Sequence, residues 1–222
     1  MCIFATQILI LNAMKTLKTP LSINIIYWLT QVIFGLFLLV CGAAVVFNIM
    51  LYTDFFGNDL QLHTHFPVKV NILEEGNLYL NNTNIKVELV EGITKIHFFN
   101  TPLFLARWIG TALMMAIFII LYAMFSFRKF IINVKKHIIF LEENIQHLKN
   151  MAYAILALWI FTIVYMRIMY QTIAKHIEFK HVEIVDDFPN FAGLLMAALF
   201  IWVLSHIFMR GVKLQDEQNL TV

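Results

Sequence analysis

Long uncharged apolar stretches alternate with polar stretches along the chain. A helix rises about 1.5 Å per residue, so about 20 mostly apolar residues are needed to cross the hydrocarbon core of a bilayer. Four stretches reach that length, namely residues 25–52, 102–127, 151–173 and 188–209. Because helices satisfy their backbone polar groups internally, as lipid demands, the pattern predicts four transmembrane helices.

The segment between the first two predicted helices, residues 53–101, follows a different period. Apolar and polar side chains alternate over residues 68–72 and 85–89, and the alternation resumes after Gly92. A period of two is typical of half-buried β-strands. The segment is therefore predicted to form a β-rich extracytoplasmic lobe rather than a loose loop.

Turn candidates at residues 75–77, 81–84 and Gly92 divide this lobe into three or four predicted antiparallel strands. A sheet of that size is marginally stable alone. It is expected to lean on the membrane helices or on the third loop, where residues 181–185 could add a short strand. The predicted fold class is a membrane all-α bundle of four transmembrane helices with a small antiparallel β lobe inserted in the first extracytoplasmic loop.

The remaining parts of the chain connect or flank these elements. They are a cytoplasmic N-terminal segment 1–24, a cytoplasmic connection 128–150, an extracytoplasmic loop 174–187 and a cytoplasmic tail 210–222. Residues 1–13 are apolar but lack a basic start and a small-residue cleavage site, so they are a poor signal peptide. Met14 would be a more ordinary first residue, which makes the preceding residues either an overextended reading frame or an interfacial segment.

Composition excludes an ordinary soluble domain. Of the 222 residues, 60% are hydrophobic and only 14% are charged, whereas a soluble domain carries about 25% charged residues. The mean hydropathy is +0.76. The two cysteines, Cys2 and Cys41, cannot build a disulfide framework.

Lysine and arginine are distributed unevenly between the two sides. The terminal segments and the connection 128–150 carry nine, which are Lys15, Lys18, Arg128, Lys129, Lys135, Lys136, Lys149, Arg210 and Lys213. The other side carries five, dispersed among acidic residues, which are Lys69, Lys86, Lys95, Lys175 and Lys180. The positive-inside rule therefore predicts a multi-pass protein of the cytoplasmic (inner) membrane with both termini cytoplasmic.

The sequence contains none of the common catalytic signatures, so we expect no enzyme and no cofactor. His-Glu-x-x-His, a nucleophile elbow, a phosphate-binding glycine loop and Cys-x-x-Cys are all missing from it. Five histidines fall on the predicted outer side, namely His63, His65, His97, His176 and His181. A metal or proton-sensing site would need three or four of them to converge, and solvated loop histidines are the simpler interpretation.

The spans themselves offer little chemistry. They carry no carboxylate, which argues against a proton or cation relay. Small residues allow close approach between helices, as in a packed bundle; they are Gly35, Gly42, Ala43 and Ala44 in the first span and Ala192, Gly193, Ala197 and Ala198 in the fourth. Arg107 and Arg167 lie near the outer ends of their helices, where they could extend to the interface or pair with Asp54, Asp186 or Asp187; a buried ion-pair switch is the alternative.

Two cytoplasmic stretches carry helical apolar patterns. Leu141, Ile145 and Leu148 form one stripe, preceded by acidic residues that suit a helix N-terminus. The tail from Gly211 repeats the pattern in miniature. Each stretch is either an interfacial helix that connects or ends a span, or a docking surface for a cytosolic protein.

These two stretches resemble a known family. The first element is Phe-x-x-Glu-Asn-x-x-x-Leu, and the second is an Arg-Gly-x-x-Leu-x-x-Glu-x-x-Leu-Thr-Val ending at Val222. Together with the four-span layout over about residues 15–222, they resemble the bacterial membrane family called domain of unknown function 2975. The sequence departs from the family pattern at residues 137–139, where a turn with glycine or proline is usual.

The resemblance implies a partner, because members are commonly encoded beside a small helix-turn-helix DNA-binding protein. The candidate partner-binding residues are Phe140, Glu143, Asn144, Leu148, Gly211, Leu214, Glu217, Leu220 and Thr221. The leading hypothesis is a regulatory membrane protein that binds or restrains such a cytosolic regulator, with no direct nucleic acid contact. The alternatives are a structural or accessory subunit of an envelope complex and a small-solute or ion carrier; homo-oligomer formation stays open.

Overall fold

The computed structural model describes residues 20–57, 62–80, 83–98, 101–179, 182–185 and 191–220. Within these ranges it has four long helices: α1 Leu21–Tyr52, α2 Leu103–Lys135, α3 Glu142–Thr172 and α4 Ala192–Leu220. All four are long and apolar enough to cross a membrane. The predicted transmembrane helices are confirmed in number.

All four helices extend beyond the predicted spans, and α1 does so by beginning at Leu21. Helix α2 continues to Lys135, α3 begins at Glu142, and α4 continues to Leu220. Most of the segment 128–150, predicted as a connection, is therefore helical. The apolar spacing of this segment allows the helices to continue, and the two acidic residues in the first turn of α3 interact favourably with the helix dipole.

A small antiparallel sheet lies between α1 and α2 in the chain. Strand β1 is Leu62–Leu80, strand β2 is Thr83–Phe98, and a short strand β3, Glu183–Val185, pairs with the other edge of β1. The predicted β lobe is confirmed, and so is a short strand in the third loop over residues 183–185. His181 lies outside the described residues.

The prediction of three or four strands within the first loop is wrong, because two of the three turn candidates lie inside strands. Gly76 lies in β1 opposite Val87, and Gly92 lies in β2 opposite Val70. Continuous pairing of two long strands overrides the local preference of glycine for turns. The ladder between β1 and β2 shifts register between His63 and Pro67 and again between Asn71 and Glu74.

The chain divides into two compact units, and each long helix supplies residues to both. The unit that we call the terminal unit falls within residues 1–44, 117–158 and 193–222, and the lobe unit falls within 45–116 and 159–192. In the lobe unit, Val70 of β1 packs in a buried apolar cluster with Met166, Met169 and Ala174. As expected, the sheet therefore leans on a membrane helix and on the third loop.

Within the lobe unit, α1 and α2 approach closely at Gly110. A Cβ atom at Gly110 would lie 2.9 Å from Leu51 Cδ1, and Asn48 Nδ2 donates to the Gly110 carbonyl at 3.0 Å. By contrast, no described atom lies within 4 Å of a Cβ built at Gly35, Gly42 or Gly193. Among the described residues, the close approach that those three glycines allow is therefore not made at them, because the residue facing a small side chain decides the contact.

Arg107 is fastened to the end of α1 within the same unit. Its guanidinium forms an ion pair with Asp54 and donates from Nε to the Leu51 carbonyl at 3.1 Å. Asp54 was one of the predicted partners. The other two, Asp186 and Asp187, lie outside the described residues.

A candidate interaction site at the junction of α2 and α3

The connection between α2 and α3 reverses the chain within six residues, 136–141. His137 adopts a left-handed backbone conformation with φ 61°, which is uncommon for a residue other than glycine. Its amide donates to the Val134 carbonyl at 3.0 Å, and the Ile138 amide donates to the Asn133 carbonyl at 3.1 Å. The turn that the resemblance associates with glycine or proline is thus made here by a histidine.

Asn144 fastens this turn. Its side chain is 0% exposed, and its Nδ2 donates to the carbonyls of Ile138 at 2.7 Å and Ile139 at 2.8 Å. Its Oδ1 accepts a hydrogen bond from Asn133 Nδ2 at 2.8 Å. We call this set of three bonds the amide clamp. It supplies a side-chain donor to two carbonyls of the turn, of which that of Ile139 also accepts from the Leu141 amide at 3.2 Å.

Phe140 links the same turn to α4. Its ring packs against the Phe208 ring with centroids 5.9 Å apart, and it covers the backbone of Gly211. A Cβ atom at residue 211 would lie 2.7 Å from Phe140 Cδ1 and nearer still to Cε1. The two motif stretches that the sequence separates are therefore in direct contact through Phe140 and Gly211.

The apolar stripe is buried within α3, whereas Leu141, which precedes the helix, is exposed. Ile145 and Leu148 are buried, as is His147, whose Nε2 lies 3.5 Å from Glu143 Oε1. Of the predicted partner-binding residues, Asn144 and Leu148 are therefore covered, and their side chains act in packing and in the amide clamp. Glu143 is exposed.

The part of α4 beyond Gly211 is the exposed part of the candidate site. Residues 213–218 are all exposed and helical, and Leu214 is 61% exposed. Glu217 lies on this stretch and already takes part in an interaction within the protein. Leu220 ends the helix with a side chain that is not described, and Thr221 lies outside the described residues.

Cations of α2 contact aromatic side chains and an amide, a feature that the sequence analysis missed. Lys135 Nζ lies 3.5 Å from the ring centroid of Tyr27, and Lys129 Nζ lies 4.8 Å from that of Phe125. Arg128 Nε donates to Gln31 Oε1 at 2.7 Å. Alternating aromatic and basic residues at the ends of the spans were the signal that could have indicated these contacts.

The lobe unit contains a separate cavity of about 290 Å³. Its lining residues are Val70, Thr94, Ile96, His97, Phe179, Val182 and Ile184. Across the part of the chain that the structure describes, no group of three metal-ligating side chains comes together.

Comparison with known proteins gives one match. A family model described as "Protein of unknown function (DUF2975)" matches residues 97–222. Searches of curated proteins and of solved structures find no match. The matched part contains the α2–α3 turn, the amide clamp and all of α4.

Proposed function

Since the chain belongs to the DUF2975 family, we propose that it is an integral membrane protein that binds and restrains a small cytosolic helix-turn-helix regulator. The four membrane-length helices support the first part. The partner is what the family resemblance implies. The proposed role is binding without catalysis.

The proposal places the α2–α3 turn and the end of α4 in the cytoplasm. The excess of lysine and arginine in segments 1–24, 128–150 and 210–222 supports this orientation. An even number of spans puts both chain ends on one side of the membrane. A cytosolic protein would then reach both motif stretches from the same face.

The observation that carries the proposal is the exposed extension of α4. Apolar character ends near Arg210, yet the helix continues through residues 211–220. Because Phe140 covers Gly211, the start of this extension is fixed against the α2–α3 turn. An exposed leucine on a helix that is held at its base is suited to recognition by a partner groove.

Charge complements the apolar contact. Asp216 and Glu217 lie on the exposed extension, and Glu143 is exposed at the start of α3. DNA-binding proteins carry basic surfaces, and opposite charges steer association and set orientation. We therefore propose Leu214 as the apolar anchor, with Glu217 and Glu143 as the charges that face the regulator.

The proposal is tested by pull-down of the helix-turn-helix protein that we expect to be encoded beside this chain. Leu214→Ala combined with Glu217→Ala should weaken binding at least about tenfold, because burying one leucine contributes about 1.5–3 kcal/mol. Full-length protein is solubilised at equal membrane abundance, and bound regulator is quantified by titration.

The matched control is Leu89→Ala combined with Glu88→Ala. It makes the same two substitutions in exposed residues of β2, outside the candidate site, and affinity should stay within about twofold. Equal recovery with the α4 variant would leave the extension as a helix end and would favour the structural-subunit alternative. The absence of a neighbouring helix-turn-helix gene would also count against the proposal.

A further inference from the structure

A basic stripe runs along the exposed face of α4. His206, Arg210 and Lys213 follow one another at helical spacing, and all three are exposed. With Val203, Ile207 and Met209 they line a groove of about 440 Å³. The groove joins cationic side chains to the exposed apolar surface of a membrane-length helix.

The Arg210 and Lys213 side chains of this groove have no protein partner among the described residues. The structure shows no hydrogen bond or ion pair from Arg210 or Lys213 to any residue that it describes. On α2, by contrast, Arg128, Lys129 and Lys135 contact Gln31 and aromatic rings. The side chains of Arg210 and Lys213 are thus available to a ligand.

The apolar part of the groove indicates which ligand. Val203 and Ile207 are 53% and 58% exposed, and Phe200, one turn before Val203, is 66% exposed. In a helix that crosses a membrane, such a face contacts acyl chains. Arg210 stands where the apolar stretch ends, which is the depth of lipid headgroups.

We propose that the groove binds an anionic phospholipid, with its phosphate held by Arg210 and Lys213 and its acyl chains along Val203 and Ile207. A guanidinium matches phosphate geometry through paired donors, and a lysine adds a point charge. The edge contact of His206 with Trp202, with ring centroids 5.0 Å apart, fixes the imidazole beside the acyl region. Glu217 lies one turn beyond Lys213 and outside the lined groove.

This site goes beyond the proposed function. Its residues lie within 203–213, whereas the proposed anchor for the regulator is Leu214 with Glu217. Lipid binding needs no regulator, so the two proposals fail independently.

Trp202 provides a built-in reporter. It lies about 12 Å along the helix axis from Arg210, at the depth of acyl chains beneath a headgroup bound there. The full chain is reconstituted in phosphatidylcholine vesicles that contain a small fraction of brominated phosphatidylglycerol or brominated phosphatidylcholine. Subtracting the signal of a Trp202→Phe variant isolates the quenching of this tryptophan by the bromines.

Quenching of Trp202 should be stronger with brominated phosphatidylglycerol than with brominated phosphatidylcholine. Arg210→Gln with Lys213→Gln should reduce this preference for phosphatidylglycerol by about fivefold for each cation lost. The matched control, Lys135→Gln with Lys136→Gln, removes two charges from the end of α2 and should keep the preference. The exchange Arg210→Lys with Lys213→Arg should also keep it, which separates loss of charge from misfolding.

Either of two results would overturn the site. The first is an undiminished preference in the Arg210, Lys213 variant, and the second is an equal loss in the α2 control. Excess inorganic phosphate distinguishes the source of the anion. It should leave quenching unchanged if the ligand is a lipid, and displacement of the brominated lipid by free phosphate would show a simple anion site instead.

Discussion

The α2–α3 turn and the β lobe are stabilised by different means. Three hydrogen bonds of Asn144 join α3 to α2 and to the turn, and the contact of Phe140 with Gly211 joins the turn to α4. In the lobe, a ladder of two long strands rests on one buried apolar cluster around Val70. The turn therefore depends on individual atoms, whereas the lobe depends on which face of the sheet a residue occupies.

The family match follows this division only in part. It begins at residue 97, so it includes the α2–α3 turn and α4 but excludes β1 and all of β2 except its last two residues. Strand β3 and the residues of α3 that pack against Val70 lie inside the match. The lobe is therefore built from both the matched and the unmatched part of the chain.

The first prediction tests face dependence in the lobe. Val70 and Val87 each pair opposite a glycine, but their exposures are 2% and 43%. Val70→Asp should destabilise the lobe by about 5 kcal/mol, because it places an unpaired charge in the apolar cluster and removes a buried side chain. Val87→Asp should cost only about 1 kcal/mol, the span of strand propensities.

Native-state proteolysis of the purified full-length protein measures this difference, because cleavage between residues 62 and 98 reports the free energy of opening. Cutting should accelerate strongly for the Val70 variant and slightly for the Val87 variant. Similar acceleration in both would mean that the lobe has no preferred face, and the comparison with the turn would fail.

The second prediction concerns the amide clamp. Asn144→Ala should cost about 2–4 kcal/mol, since it removes the acceptor of the Asn133 amide and the side-chain donor of the Ile138 and Ile139 carbonyls in a buried site. Asn150 in the same helix is the control, because its Oδ1 accepts a bond from exposed Gln146 at 2.8 Å. Asn150→Ala should cost less than about 1 kcal/mol.

Both variants are compared by sodium dodecyl sulfate titration of the folded protein in mild detergent, followed by tryptophan fluorescence. Equal midpoints for the Asn144 and Asn150 variants would show that the three bonds contribute nothing beyond those of a surface amide.

The elements that the sequence predicts are those dictated by the surrounding medium. The four helices follow from the length of apolar stretches, because lipid leaves the backbone no other open-ended structure. The alternation around Val70 and Val87 likewise predicts strands. Gly76 and Gly92 were misread as turns because the partner strand, which lies elsewhere in the sequence, decides whether a glycine continues a ladder.

The candidate site was predicted as a pair of stretches but not in its details. Asn144 is polar and was interpreted as a contact for a partner, yet it is buried and donates to the turn carbonyls of Ile138 and Ile139. Which glycine permits close packing also depends on its neighbour: Phe140 covers Gly211, whereas no described atom covers Gly193. Such pairings depend on three-dimensional neighbours that one sequence does not reveal.

The last prediction uses these two glycines of α4 to sharpen the comparison at the level of one methyl group. Gly211→Ala should destabilise by about 1–3 kcal/mol, because the new Cβ overlaps the Phe140 ring and forces the turn away from α4. Gly193→Ala should instead stabilise by up to about 1 kcal/mol, since alanine favours the helix and meets open space.

Combining Gly211→Ala with Phe140→Leu should recover part of the loss, and the double-mutant cycle from detergent titrations gives the coupling free energy between the two residues. A coupling of zero would mean that Phe140 and Gly211 act independently, and the contact between the two motif stretches would then be incidental to their positions.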